Sequence, residues 1–194
     1  MAHLTFRQAR EEDHAPIVAS IQTWWGETRT PEEARELSLL LPRLFLQHFA
    51  ATSLIVERRT DAEEPDAEEP GAAGPGGAAG ALAGFLVGFH SPDRPGTAYI
   101  HFVGVHPELR HQGVARRLYE RFFARAVAAG RQEVRSIVSP ANKPSIAFHH
   151  SMGFRPEGGD YESDGVPVHR DYDGPGHDRI SFRRVLSAPP AAKA

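Results

Sequence analysis

The stretch Arg110-His111-Gln112-Gly113-Val114-Ala115 has the residue types and spacing of an anion site. It follows a strand-like run, Ile100-His101-Phe102-Val103-Gly104-Val105, and a turn, His106-Pro107-Glu108-Leu109. It then opens a helical pattern. The first turn of a helix carries free N–H groups and a partial positive charge. A diphosphate placed there accepts several backbone hydrogen bonds at once. Gly113 lacks the Cβ that would hold such a group away, and Ala115 is nearly as small. Arg110 adds a cation. The same residues also read as an ordinary strand–turn–helix whose glycine only eases a bend. Arg116 and Arg117 likewise have two readings, a contact to a phosphate or a solvated helix face.

Other chemistries are excluded by what the chain lacks. It has no cysteine, which removes disulfides, thiolate metal sites and a cysteine nucleophile. None of HExxH, GxSxG and GxxxxGK[ST] occurs, and the only lysines are Lys143 and Lys193. The eleven histidines show no metal-ligand spacing. Gly74-Pro75-Gly76-Gly77-Ala78-Ala79 formally matches a loose dinucleotide fingerprint, but no strand leads directly into it and no helix follows.

The elements that must position these residues follow from periodicity. Leu4–Arg7 reads as a strand. Asp13 reads as the N-cap of a helix through Trp24. Thr30-Pro31-Glu32-Glu33 is a cap, a proline at the first helical position and two acids. It starts a helix toward Phe49 with a break at Pro42. Strands are expected at Ser53–Arg59, Leu82–Phe89 and Thr97–Val105, the last two joined by a turn over Ser91–Gly96. Val114, Leu118, Phe122 and Ala126 recur on one face of a helix over Gly113–Ala129, which Gly130 stops. A strand at Glu133–Ser139, a helix opened by Asn142 and ended at Gly153, and late strands around Phe154–Tyr161 and Arg179–Leu186 complete the order. The fold class expected is α/β, a mixed central sheet with helices on both faces.

At 194 residues, with 40% hydrophobic and 24% charged residues, the chain suits a single domain over residues 1–186. Residues 61–81 are all Ala, Gly, Pro, Asp or Glu and repeat Asp61–Pro65 at Asp66–Pro70. That composition reads as a disordered hairpin-loop insert, and an acidic docking segment for a basic partner is the other reading of it. Residues 187–194 read as a flexible tail. The net charge is −3, and the insert holds six acids, so the remainder carries +3. That balance suits a small anionic ligand and is too weak to indicate nucleic acid. No run of 18 apolar residues suggests a membrane span, and the N-terminus lacks the apolar core of a signal peptide. A cytoplasmic location, with neither membrane nor nucleic-acid partner, is expected.

Arg110-x-x-Gly113-x-Ala115, after Val103-Gly104-Val105-His106-Pro107, resembles the acetyl-CoA pyrophosphate loop of the GCN5-related N-acetyltransferases, the GNAT superfamily. Asn142-Lys143-Pro144-Ser145-Ile146-Ala147-Phe148-His149-His150-Ser151-Met152-Gly153-Phe154 resembles that family's second signature. The element order is similar from Leu4 to about Leu186. The resemblance implies acetyl-CoA as co-substrate and no metal. Val103, Gly104 and Val105 would run beside the pantetheine arm, the backbone of Arg110, His111, Gln112, Gly113, Val114 and Ala115 would hold the pyrophosphate with Arg116 beside it, and Asn142 and Phe148 would contact the cofactor. The acetyl group would sit in the splay between the Val103 strand and the Glu133–Ser139 strand.

The family often has a tyrosine as the acid that protonates the thiolate. Here His149 holds that position, as in the phosphinothricin acetyltransferase-like group; a packing histidine is the other reading. Many members carry a glutamate on the strand corresponding to Thr97–Val105, but this strand has no acid. His101, on the same face as Tyr99 by the strand period, is the local candidate for the base, with a buried structural histidine or a water wire as the alternatives. Trp24, Trp25 and Tyr161 are candidates for the acceptor site. The function implied is transfer of an acetyl group to a primary amine by direct attack, the acceptor being a small amine, an amino acid or a peptide N-terminus. The missing strand acid keeps a second function in view, a non-catalytic acyl-CoA-binding sensor or interaction module. A homodimer would be typical of the resemblance.

Overall fold

The computed structural model describes residues 3–25, 30–59 and 80–186. The expected insert lies outside the described residues apart from Gly80 and Ala81, and the expected tail lies wholly outside them. The strands are β1 (His3–Gln8), β2 (Leu54–Arg59), β3 (Ala81–His90), β4 (Thr97–Val105), β5 (Glu133–Val138), β6 (Arg155–Pro156), β7 (Tyr161–Ser163), β8 (Val166–Val168) and β9 (Ile180–Val185). The helices are α1 (His14–Trp24), α2 (Pro31–Ser38), α3 (Leu44–Phe49), α4 (Val114–Ala128) and α5 (Lys143–Ser151). Seven strands form a mixed sheet in the order β1-β2-β3-β4-β5-β9-β6, flanked by helices, and β7 and β8 form a separate hairpin. The α/β mixed-sheet class expected from the sequence is the one observed. No helix among the described residues is long and apolar enough to cross a membrane.

Two compact units are distinguished. The first lies within Met1–Leu86 and Val103–Ala115, the second within Val87–Phe102 and Arg116–Ala194. In the first, β1 pairs antiparallel with β2 from His3↔Arg59 to Gln8↔Leu54. Its core includes Ile17, Ile21, Leu41, Leu46, Ile55, Val56 and Phe85. Asp13 does not cap α1 as the sequence suggested. Its backbone is already helical and its carboxylate accepts from the Arg10 N–H at 2.7 Å and from Arg7 at 2.6 and 2.8 Å, closing the turn before the helix. Thr30 does cap α2: its Oγ1 accepts from Glu33 N–H and the Glu33 carboxylate accepts from Thr30 N–H. The chain breaks between Ser38 and Leu44, around Pro42, because proline has no N–H to continue a helix.

In the second unit, Leu118, Phe122 and Ala126 of α4 are fully buried, as are Val134, Phe154 and Phe182. β5 pairs antiparallel with β9 along its whole length. Its parallel pairing with β4 is different. Only Thr97↔Glu133, Ala98↔Val134 and Tyr99↔Arg135 are in register, although both strands continue. The strand expected around Phe154–Tyr161 is shorter than expected and covers only Arg155–Pro156 of that range. Gly158 and Gly159 have φ of 69° and 152°, so the chain turns out of the sheet after Pro156 and forms the β7–β8 hairpin.

Candidate functional site

In the first unit β4 ends in a tight one-turn helix at Pro107–Leu109, whose N–H groups fold back on His106. The His106 N–H donates to Ala83 O at 3.0 Å, fixing the turn to β3. Leu109 is buried. From there His111 and Gly113 take left-handed conformations, with φ of 61° and 77°. An added Cβ at Gly113 would meet no protein atom within 4 Å, so its backbone angle, not crowding inside the protein, selects glycine. The N–H groups of His111, Gln112 and Gly113 have no acceptor among the described residues. These donors, with the first turn of α4 after them, form the kind of array that holds a phosphate oxygen. Val114 is buried, while His111, Gln112 and Arg116 are exposed and Ala115 half-buried.

Arg110 serves this loop differently from the simple phosphate contact suggested by its charge. Its Nη2 donates to Trp24 O, the last carbonyl of α1, at 2.6 Å, and its Nε lies 3.4 Å from Val105 O. The guanidinium therefore ties the loop to a helix C-terminus, where a cation is favoured. Trp24 is core: it is 7% exposed, stacks on Phe85 at 6.0 Å and meets His106 edge-on at 5.5 Å. Trp25 is half-buried, 6.4 Å from Trp24. Both rings dictate the local backbone. A Cβ at Gly104 would lie 2.5 Å from Phe85 and 3.0 Å from Trp25, so β4 admits only glycine there. Val103 and Val105 are half-buried on either side.

In the second unit Asn142 caps α5, its Oδ1 accepting from Ser145 N–H at 3.2 Å. His149 is buried in an aromatic box. Its ring stacks on Phe182 at 5.0 Å and meets Phe154 at 5.1 Å and Tyr119 at 5.8 Å. Phe148, half-buried, meets Tyr119 edge-on at 5.0 Å. Both ring nitrogens of His149 are engaged. Nδ1 lies 2.8 Å from Ser145 O, which only accepts, so the neutral ring carries its proton at Nδ1. Nε2 then accepts from the Tyr119 hydroxyl at 3.3 Å. Burial lowers the His149 pKa below its usual value, against a smaller opposite effect of Ser145. Burial likewise raises the Tyr119 phenol. At neutral pH the pair is thus an uncharged tyrosine and an uncharged histidine. Tyr119 is the residue the sequence reading missed, because on α4 it reads as one more core aromatic.

His101 is half-buried on β4. Tyr99, two residues before it, stacks on Phe89 at 5.3 Å, and burial first, then Tyr172 and Asp173, raise its phenol. Tyr161 is half-buried on β7, with its hydroxyl donating to Asp178 Oδ2 of the late loop at 2.5 Å and Arg170 over its ring at 5.1 Å. That loop is closed by its own polar contacts, Gly176 N–H to Asp171 and Asp171 N–H to Asp178 among them. No group of three His, Cys, Asp or Glu suited to a metal occurs among the described residues.

Comparison with known proteins fits these features. The family model described as acetyltransferase (GNAT) family matches residues 20–154. An L-2,4-diaminobutyric acid acetyltransferase of Methylotuvimicrobium alcaliphilum is 32% identical over 71 residues, a match spanning 37% of this chain and 41% of that relative's length. Among solved structures, a diaminobutyrate acetyltransferase from Paenibacillus lautus, in complex with L-2,4-diaminobutyric acid and coenzyme A, has a TM-score of 0.58 at 18% identity with 100% of both chains covered. The ribosomal-protein-S18-alanine N-acetyltransferase from Escherichia coli has a TM-score of 0.59 at 16% identity with 99% of both covered. At these identities the structural likeness is one of fold.

Proposed function

Because the chain belongs to the acetyltransferase (GNAT) family, we propose that it transfers the acetyl group of acetyl-CoA to a primary amine. The observation that carries the reading is the turn at His111–Gly113, whose N–H groups have no acceptor among the described residues and which leads into the first turn of α4. The backbone of Arg110–Ala115 holds the pyrophosphate, with Arg116 at its exposed flank. The backbone of Val103, Gly104 and Val105 runs beside the pantetheine arm, and Asn142 and Phe148 contact the cofactor. Trp25 and Tyr161 are the acceptor-side candidates, and Trp24 supports the first of them.

The reaction requires an unprotonated amine. His101 is the candidate for removing the first proton from the ammonium. The amine nitrogen then attacks the thioester carbonyl, the carbon–sulfur bond breaks, and CoA thiolate leaves. Direct attack is the simpler route in a chain without cysteine. The second amine proton must leave the nitrogen and one proton must reach the sulfur. His149 is suited to move it. Its Nδ1–H is held by Ser145 and its Nε2 accepts from the Tyr119 hydroxyl, so a proton reaches or leaves the ring through that hydroxyl, and its lowered pKa returns the ring to the neutral form once the proton is passed on. Tyr119, donating to Nε2, is its positioning residue.

The acceptor is a small amine, with diamino acids first among those to assay; both diaminobutyrate acetyltransferases above support that order. The test is incubation with acetyl-CoA and, separately, L-2,4-diaminobutyric acid or a peptide beginning with alanine, reading product by mass. One acetyl group added to the diamino acid supports the reading. Acetylation of the peptide alone would replace the small amine by a peptide N-terminus. Cofactor binding without any product would favour a sensor.

A further inference from the structure

We propose that Tyr99, Tyr172 and Asp173 recognise a second, non-reacting ammonium group of the acceptor, so that the preferred acceptor is a short diamine or diamino acid; this rests on the acetyltransferase reading above. All three residues belong to the second unit. Tyr99 lies on β4 two positions before His101, and the strand period puts both on one face. Its ring stacks on Phe89, while its hydroxyl has no hydrogen-bond partner among the described residues. Tyr172, Asp173 and Arg179 of the late loop lie close enough to act electrostatically on that hydroxyl. Tyr172 is 50% exposed and rests against His169 at 5.7 Å. Asp173 receives Arg179 Nε on its Oδ2 at 2.7 Å, and its Oδ1 has no partner among the described residues. Arg179 is held in turn by Asp178 O, to which its Nη1 donates at 2.9 Å.

The set comprises an open aromatic face, a phenol oxygen and a carboxylate oxygen still able to accept. An ammonium group suits all three, since the ring attracts a cation and both oxygens take its N–H groups. The carboxylate repels an anion, and an apolar group would leave both oxygens unused. The loop does not need the outer oxygen of Asp173 for its own closure. Asp171 and Asp178 supply that, accepting from Gly176 N–H and Asp171 N–H, and the Tyr161 hydroxyl ties Asp178 to β7. The position on β4 sets the size of the acceptor. Residues two apart on a strand are about 7 Å apart, so an amine reacting beside His101 and an ammonium held beside Tyr99 are separated by the length of a short diamine. Recognition of the second charge is thereby kept apart from the candidate base.

The test compares kcat/KM for L-2,4-diaminobutyric acid with that for 2-aminobutyric acid and 4-aminobutyric acid, each of which lacks one of the two ammonium groups. The wild-type protein should prefer the diamino acid to either monoamine by about tenfold or more, the worth of a charge-assisted contact. Asp173→Asn, which keeps the side chain's shape, should narrow that preference to about threefold or less. Tyr172→Leu, at a half-exposed position, should narrow it by about threefold through loss of the ring. Thermal unfolding checks that both variants are folded. Narrowing of the preference in both supports the proposal. A wild-type protein that acetylates the monoamines as well as the diamino acid would overturn it, as would a preference that both folded variants retain in full. A protein that acetylates no amine at all would instead overturn the acetyltransferase reading, and this proposal with it.

Discussion

Arg110→Ala separates the two tasks that an arginine in this loop can have. If the guanidinium served only an incoming phosphate, its loss would leave the unliganded protein as stable as before. In the structure Nη2 lies 2.6 Å from Trp24 O, a charge-assisted bond to the terminal carbonyl of α1. Such a bond contributes about 1.5–3 kcal/mol, and a cation at a helix C-terminus adds about 0.3–1 kcal/mol. The second contact, 3.4 Å to Val105 O, is too long to add much. The two contributions overlap, because both concern the same carbonyl, so about 2–3 kcal/mol is expected for the loss. For a chain of 194 residues this lowers the melting temperature by roughly 4–12 °C. The assay is thermal unfolding without cofactor, followed by the KM for acetyl-CoA at a temperature where both proteins are folded. The KM should rise several-fold as well, because the turn that presents the His111–Gly113 donors loses its anchor. Arg110→Lys should recover part of the stability through one remaining donor. An Arg110→Ala protein as stable as wild type, with only its KM raised, would refute the anchor and return the side chain to the phosphate.

Gly113→Ala should cost about 1–2 kcal/mol, since φ of 77° is unfavourable for an L-residue while the added Cβ meets no protein atom; an acetyl-CoA KM unchanged in that variant would show that the loop does not approach the cofactor. His149 binds fewer protons folded than unfolded, so it makes stability fall as pH drops below about 6.5 toward its lowered folded pKa; His149→Gln should flatten urea midpoints across that window. Glu133 acts at lower pH. Burial opposes ionisation, but bonds from Arg135, Arg183 and Thr97 outweigh it and hold the pKa at about 2, against 4.5. Its contribution, about 1–2 kcal/mol after solvent screening, is present above pH 4.5 and lost toward pH 2, and Glu133→Gln should remove that acid-limb slope.

The sequence disclosed those parts of the molecule that local chemistry decides. The Thr30–Glu33 cap, the break at Pro42, the buried stripe of α4 and the Asn142 cap of α5 each depend on residues within a turn or two of one another. Asp13 misled because its carboxylate had a stronger partner in Arg7, which sequence spacing does not display. The β7–β8 hairpin was missed because the turn at Gly158 and Gly159 falls inside the segment read as one strand. At the candidate site the Arg110–Ala115 turn was legible as a run of small and basic residues before a helix. Its anchor at Trp24 was not, because that partner is 86 residues away in the chain. Tyr119 was equally hidden, because it looks like an ordinary core position until its hydrogen-bond partner His149 is known.

The most direct measurement is the rate of free-thiol release from acetyl-CoA with and without an added amine. The chain contains no cysteine, so every thiol detected belongs to CoA. Release that depends on the amine and saturates with it is the predicted result. Acetyl-CoA bound by the folded protein, with no amine in a broad panel accelerating thiol release, would contradict the account.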